Sequence, residues 1–215
     1  MDAIFSIMNF ISQNSATVAD LATLVALIYA IFQFHSWKKQ KRAEKLAELS
    51  MELLSGASDL KNCILQIRYS PDEFEPSFGD AIYLKKSRYL DGLKSFEIVS
   101  SALTFIEILI SSKDAQIKDE IKNICERLKD TYLNCGLAIA DFDRLKKINP
   151  NCLDLPFKRF RLDLRSIEST EIQDSLSANM KLLFADIQDS EMIELKDSVD
   201  KLKELLSSFL RYQIK

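Results

Sequence analysis

The sequence predicts an all-α protein in which one N-terminal membrane-spanning helix continues into a cytoplasmic helical bundle. Glycine and proline are scarce, with four of each in 215 residues, and tight turns draw on both. Apolar residues recur every three or four positions along most of the chain, which is the spacing of one helix face. A strongly apolar run near the N-terminus has the length of a membrane span. The composition, 47% apolar and 28% charged, is that of an ordinary folded chain and excludes wholesale disorder.

The N-terminal region is predicted to divide into two parts. Residues 1–15 form an apolar segment that either lies in the outer membrane interface as an amphipathic helix or lengthens the spanning helix. Residues 16–37 form the predicted transmembrane helix, and its first nineteen residues rise roughly 28 Å, close to the hydrocarbon thickness of a bilayer. A buried core helix is the alternative interpretation, because the strictly apolar part, residues 21–34, is short.

The distribution of positive charge predicts the orientation of this helix. No lysine or arginine precedes position 38, and five follow by position 45. The positive-inside rule then places the N-terminus outside and the C-terminal domain in the cytoplasm, as a single-pass protein of the cell (inner) membrane. Membrane lipid is therefore an expected partner. The predicted membrane-interface residues are one aromatic residue and the first basic residues, Trp37, Lys38, Lys39, Lys41 and Arg42.

One face of the predicted span carries small and polar side chains at steps of three or four. These residues are Ala16, Asp20, Thr23, Ala26, Ala30 and Gln33. Such a stripe is typical of close helix packing in lipid or of a face that lines water. One helix cannot enclose a channel, so both interpretations predict a homo-oligomer.

Residues 38–215 are predicted to form the cytoplasmic bundle from five helical stretches. The first continues from the membrane helix and carries a heptad seam interrupted by Gly56, a pattern typical of a coiled coil. The leading positions of that seam are Leu46, Leu53, Leu60 and Ile67. The other four stretches have amphipathic apolar stripes, and their first apolar positions are Tyr89, Ile117, Ile172 and Met192.

Residues 153–165 break the helical pattern, since apolar and polar residues alternate there, and the segment is predicted to be extended. It holds the densest mixture of basic and aromatic residues in the chain: Phe157, Lys158, Arg159, Phe160, Arg161 and Arg165. Arginine side chains suit phosphates, and aromatic rings stack on bases. Three interpretations stay open: a connector packed on the bundle, a ligand-binding site for an anion such as a short single-stranded nucleic acid or nucleotide, or a contact to anionic lipid or a protein.

The reactive residues do not form any known catalytic pattern. The chain has one histidine, no glycine-rich phosphate loop and no C-x-x-C pair, so we predict no enzyme activity, catalytic residue, metal or cofactor. Asp141 and Asp143 are two apart on a predicted helix and so point in different directions. The four cysteines, Cys63, Cys125, Cys135 and Cys152, are expected to be reduced and mostly buried thiols.

This layout, one N-terminal span followed by a cytosolic helical domain, resembles that of small bacterial membrane effectors from antiphage-defence operons. Among them it resembles the channel effector of Hailong-type systems, a family held closed by a DNA oligomer. The resemblance covers the whole chain as a layout and assigns no residue. It implies an oligomeric pore or channel former controlled by a ligand-sensing cytosolic domain, with an operon-encoded protein as a further partner. The alternative hypothesis is a membrane-tethered adaptor or scaffold that recruits a cytosolic protein through its bundle.

Overall fold

The structure, a computed structural model, describes residues 15–69, 77–148, 170–184 and 190–210. These residues form the helices α1 (Ser15–Arg68), α2 (Phe78–Leu109), α3 (Ala115–Ile148), α4 (Thr170–Leu183) and α5 (Ser190–Leu210), with a 3-10 turn at Ser112–Asp114. No extended strand occurs within those four ranges, and the all-α prediction is confirmed for them. The predicted N-terminal segment, apart from Ser15, and the predicted extended segment 153–165 lie outside the described residues.

Serine side chains mark the start of two elements. α2 begins well before the predicted stripe that starts at Tyr89, because Ser77 caps it: its hydroxyl oxygen accepts the backbone N–H of Asp80 at 3.1 Å. At the other end Ile110 adopts extended backbone angles, which stops the helix. Ser111 then caps the short 3-10 turn that leads into α3.

The chain forms two compact units, Met1–Lys45 and Leu46–Lys215, and α1 contributes to both. In the first unit the described side chains up to residue 42 are all exposed. The second unit has a continuous hydrophobic core to which α1, α2, α3, α4 and α5 all contribute.

The predicted heptad seam of α1 is buried inside the chain's own bundle. Leu53, Leu60 and Ile67 are fully buried and belong to the core. The buried face also includes Ala57 and Ile64, which lie four residues after the leading seam positions Leu53 and Leu60. A face this wide is typical of a helix in a globular bundle, whereas a two-stranded coiled coil needs only a narrow seam. The seam residues therefore contact helices of the same chain.

α1, α2 and α3 pack as successive antiparallel neighbours, and glycines allow their close approach. A Cβ atom on Gly56 would lie 2.7 Å from Ile98 of α2, and one on Gly92 would lie 2.5 Å from Cys63 of α1. A Cβ atom on Gly136 of α3 would likewise lie within 2.5 Å of a Tyr89 ring atom. These glycines lie inside helices, at positions where neighbouring helices pack closely.

α4 and α5 complete the bundle by packing on α3. The Asn179 side chain of α4 donates to Asp141 of α3 at 3.1 Å. Across the α3–α5 contact, Arg127 pairs with Glu194 at 2.6 Å and Lys201 pairs with Glu120 at 3.1 Å. The order of these two pairs shows that α5 runs antiparallel to α3.

Candidate functional site

The first candidate site is the apolar exterior of α1. Every residue from Ala19 to Trp37 is exposed, and Phe32 and Leu21 expose 71% and 64% of their surface. A contiguous apolar surface of this kind marks a membrane or protein contact, because folded proteins in water rarely leave one uncovered. Among the described helices, α1 is the one that is long and apolar enough to cross a membrane.

The polar residues of the predicted stripe are partly satisfied inside the helix. The Thr23 hydroxyl donates to the Ala19 carbonyl at 2.8 Å, and the Gln33 amide donates to the Tyr29 hydroxyl at 2.7 Å. Each bond lowers the cost of placing the side chain in an apolar surrounding, where an unpaired polar group is expensive. Helical spacing brings the stripe residues onto one side of α1. Asp20, Ala26 and Ala30 are exposed, and the side chain of Ala16 lies outside the described part.

Aromatic and basic residues follow the apolar surface directly. Trp37 is exposed, and its ring centroid lies 6.0 Å from that of Phe34 one turn earlier. The basic band, residues 38–45, contains five lysines and arginines and one acid, so its net charge is +5 − 1 = +4. Lys41 and Gln40 donate to the carboxylate of Glu44, and these hydrogen bonds lower the pKa of Glu44. The predicted interface residues Lys38, Lys39 and Arg42 are exposed.

The C-terminal end of α1 is held by two buried cations, and together they form a polar node. The Arg68 side chain is almost fully buried; it donates to the carbonyl of Leu182 at 3.0 Å and to the carboxylate of Glu191 at 2.8 Å. Leu182 is in the last turn of α4, where carbonyls lack helical partners, and Glu191 is in the first turn of α5. One side chain of α1 therefore joins the ends of two other helices.

Lys85 of α2 is the second cation of the polar node. Its ammonium group donates to the carbonyls of Ile67 at 2.7 Å and Tyr69 at 2.6 Å, which caps the C-terminal end of α1. It also lies 4.4 Å from the centre of the Phe184 ring. The sequence prediction missed this node. The sequence did carry one indication of it: Lys85 lies three residues after Ile82 and four before Tyr89, so it occupies a position of the buried apolar stripe of α2.

An acidic cleft of about 640 Å³ lies between α3 and α5. Five carboxylates and two basic side chains line it, so the charge of its lining is −5 + 2 = −3, which disfavours a phosphate ligand. The charged residues are Glu120, Arg127, Glu194, Asp197, Asp200, Lys201 and Glu204. The predicted anion-binding residues, Phe157, Lys158, Arg159, Phe160, Arg161 and Arg165, lie outside the described part, and their role stays a prediction.

The described cysteines are free thiols inside the bundle. Burial raises the pKa of Cys125 and of Cys135 to about 12, and that of Cys63 to about 11. The reactive thiolate is therefore scarce at neutral pH. For these three residues the prediction of mostly buried thiols is confirmed, and their reduced state stays a prediction; Cys152 lies outside the described part.

The remaining candidate groups stay separate. Asp141 accepts hydrogen bonds from Arg144 and Asn179, whereas Asp143 pairs with Lys86, so the two carboxylates have different partners. Within the described ranges no three His, Cys, Asp or Glu side chains are grouped so that they could hold a metal ion.

Comparison with known proteins adds no relative to these observations: no protein-family model, curated protein or solved structure matches the chain.

Proposed function

We propose that the protein is an oligomeric membrane effector, a pore or channel former, controlled by its cytosolic ligand-sensing helical domain and active in bacterial antiphage defence. The observation that carries this proposal is the composition of α1. Its N-terminal part presents an exposed apolar surface followed by a basic band, and its C-terminal part contributes buried residues to the bundle core. In this proposal α1 is the element through which a change in the bundle reaches the membrane.

The polar stripe supplies the pore surface in this proposal. When several copies associate, Asp20, Thr23 and Gln33 line the axis, and the apolar side chains of the opposite face contact lipid. A ring of Asp20 carboxylates favours cations over anions. The ligand controls the pore only if it binds one oligomer state more tightly than the other, since equal affinity shifts no population.

Anchoring and orientation are tested first. A reporter fused after Lys215 is expected to read cytoplasmic, and the full chain is expected to stay with membranes on alkaline extraction, as the charge distribution around residues 38–45 predicts. Full-length protein in the soluble fraction would remove the membrane anchor and with it the pore.

The pore is tested by membrane potential in cells and by conductance in planar bilayers. Asp20→Ala and Gln33→Leu are expected to change conductance or relieve toxicity while insertion is retained. Phe32→Leu changes an apolar residue away from the stripe and serves as the matched control; it is expected to behave as the unaltered protein. A well-inserted protein that leaves the membrane potential untouched would contradict the pore.

A membrane-tethered adaptor is the second candidate, and the two internal hydrogen bonds of the stripe favour it. Because Thr23 and Gln33 already have partners on their own helix, the span is tolerated in lipid without a water-filled axis. An adaptor leaves cells polarised and is indifferent to both stripe substitutions. It is expected to co-purify with a cytosolic protein encoded in the same operon.

The ligand is proposed to be a short single-stranded nucleic acid or nucleotide bound by residues 157–165. Four basic residues give salt-dependent affinity, and two phenylalanines offer stacking surfaces that tolerate any base. Oligonucleotide binding by the purified oligomer is measured at two salt concentrations for the unaltered protein and for Arg159→Ala combined with Arg161→Ala. Weaker binding by the variant is expected; equal binding would exclude these arginines from the site.

A further inference from the structure

Two aromatic side chains lie next to each other near the C-terminal end of the predicted span. The ring centroids of Phe34 and Trp37 are 6.0 Å apart, and the ring planes are inclined by 33°. Phe34 exposes 58% of its surface and Trp37 exposes 55%, so the described part of the chain leaves both rings largely uncovered. These two rings, the aromatic pair, form a small apolar surface on one side of α1.

The aromatic pair lies on the same side of α1 as the polar stripe. A helix turns by about 100° per residue, which gives each side chain a direction around the helix axis. Phe34 and Trp37 lie within about 35° of the mean direction of the six stripe residues, one on either side of it. Trp37 follows Gln33 by four residues and Ala30 by seven, which are steps of one helix face. Leu27 is also near this side, but it lies farther from the mean direction, at about 55°.

The polar and apolar sides of α1 exchange places at the level of the aromatic pair. Nearer the N-terminus, large apolar residues such as Ile28 and Phe32 occupy the side opposite the stripe. Ser36 and Lys39 follow Phe32 by four and seven residues on that opposite side, and both are exposed. A lipid headgroup layer suits these polar residues, whereas the two rings suit contact with other copies of the helix. In an oligomer whose stripe faces the axis, the rings therefore face the axis as well.

We propose that the aromatic pair is the gate of the pore. In the closed oligomer the rings of Phe34 and Trp37 from all copies meet around the axis and form an apolar constriction that excludes water. An ion in such a constriction loses its hydration shell and gains no polar partner, so conduction stops. This inference rests on the proposed function, because it requires the stripe to line a pore.

Side chains along this side of α1 change from small to large at the aromatic pair. Ala26 and Ala30 leave space around the axis, and the Gln33 amide donates to the Tyr29 hydroxyl at 2.7 Å. Tyr29 lies about 105° from the mean direction of the stripe, so this hydrogen bond draws the amide toward the edge of the stripe. Trp37, the one tryptophan of the chain, follows about 10 Å beyond Ala30 along the helix. The narrowest part of the pore is therefore expected at the aromatic pair.

The position of the aromatic pair along the chain suits control by the bundle. The second compact unit begins at Leu46, so eight residues of α1 separate it from Trp37. A rotation or outward displacement of α1 in each copy removes the rings from the axis, and water then fills the constriction. A ligand that binds the bundles of one arrangement more tightly therefore controls the gate.

Current through planar bilayers that contain the full chain tests the gate. Each protein is recorded with and without a short single-stranded oligonucleotide, and variants are compared in the condition that gives the unaltered protein its smaller current. The asparagine variant, Phe34→Asn with Trp37→Asn, is expected to raise that current at least about tenfold, because amides keep the constriction wet. The leucine variant, Phe34→Leu with Trp37→Leu, keeps an apolar constriction and is the matched control; its current is expected to stay nearly unchanged. Alkaline extraction checks that each variant is inserted.

Chemical cross-linking in membranes tests the direction of Trp37 without a current measurement. In the full chain with Cys152→Ala, Trp37→Cys is expected to give linked dimers with a short bis-maleimide, because these positions meet around the axis. Phe32→Cys, a similarly exposed aromatic position on the opposite side, is expected to give little linked product. The protein with Cys152→Ala alone measures the background from the remaining cysteines.

The outcomes separate the gate from the pore. Equal currents through the asparagine and leucine variants of a conducting protein would keep the pore and overturn the gate. A larger effect of Leu27→Asn than of the asparagine variant would place the constriction elsewhere and overturn the gate too. Equal linking at positions 32 and 37 also contradicts it. No current through any protein, the asparagine variant included, removes the pore and the gate with it.

Discussion

Gly92 lies where α1, α2 and α3 meet, and its replacement by alanine tests this packing. A Cβ atom there would lie 2.5 Å from the Cys63 sulfur and 2.8 Å from a ring carbon of Tyr132. Both distances are shorter than any stable contact, so a neighbour must move. Helix propensity opposes this effect, since alanine is favoured over glycine by about 1 kcal/mol inside a helix.

The neighbours of Gly92 have little room to move. The Tyr132 ring stacks on Tyr89 with centroids 4.5 Å apart, and its hydroxyl donates to the Tyr89 carbonyl. The Cys63 thiol donates to the carbonyl of Arg88 at 2.9 Å. Overpacking in a well-packed core costs about 1–3 kcal/mol for one clash, and here two fixed groups oppose the methyl group. We therefore expect packing to outweigh propensity, with a net loss of about 1–2 kcal/mol in the free energy of unfolding.

Thermal unfolding of the full chain in detergent, followed by circular dichroism, measures this loss. A decrease of about 1–2 kcal/mol lowers Tm by roughly 2–8 °C for a chain of this size. Ser87→Ala on the exposed side of α2 is the control and is expected to leave Tm nearly unchanged. Combining Gly92→Ala with Cys63→Ala removes the shorter of the two contacts and is expected to recover part of the loss. A Tm that is unchanged or raised by Gly92→Ala alone would refute the described packing of the three helices.

Two further predictions concern buried groups. Arg68→Met is expected to destabilise the bundle by about 2 kcal/mol or more, because it removes a buried cation that joins α4 and α5. The control Arg127→Met breaks an exposed ion pair and is expected to cost less than about 0.5 kcal/mol. Equal losses of the two variants in urea unfolding would contradict the role of Arg68. Burial raises the pKa of Cys125 from 9.0 to about 12, so the folded state keeps a proton that the unfolded state releases above pH 9. The resulting stability is complete below pH 9 and falls as pH rises toward 12, by about 2 kcal/mol between pH 8 and 10.5. Cys125→Ala is expected to lose less stability than the unaltered protein over that interval, and the same dependence in both proteins would exclude Cys125 as a cause.

Periodicity alone predicted the helices, since apolar spacing is a local property that the chain carries wherever it packs. It did not predict the partner of each stripe. The Leu53–Leu60 repeat has the spacing of a coiled-coil seam, yet burial of Ala57 and Ile64 beside it assigns that face to the chain's own core. Whether such a face packs on a second chain or on the chain's own bundle depends on its width, and the width is known only from the burial of neighbouring residues in the folded structure.

Candidate sites that depend on local amino-acid composition could be predicted from the sequence, whereas sites that depend on contacts between distant residues could not. The apolar surface of α1 and the basic band beside Trp37 follow from local sequence. The polar node could not be predicted, because the side chains of Arg68 and Lys85 donate hydrogen bonds to carbonyls at the ends of other helices, and the sequence does not show which helix ends meet. Glycine scarcity indicated long helices correctly, but the importance of Gly92 depends on side chains of α1 and α3 that are distant in sequence.

The polar node also limits how the bundle can move the proposed membrane helix. If α1 slid by one turn along α2, Lys85 would leave the carbonyls of Ile67 and Tyr69, and Arg68 would leave that of Leu182. Both buried cations would then lose these carbonyl partners, which is costly inside the bundle. A rigid displacement that carries α1 together with α2, α4 and α5 keeps every bond of the polar node. We therefore expect ligand control to act by rearranging whole bundles against one another in the oligomer, with the bonds of the polar node intact in both states.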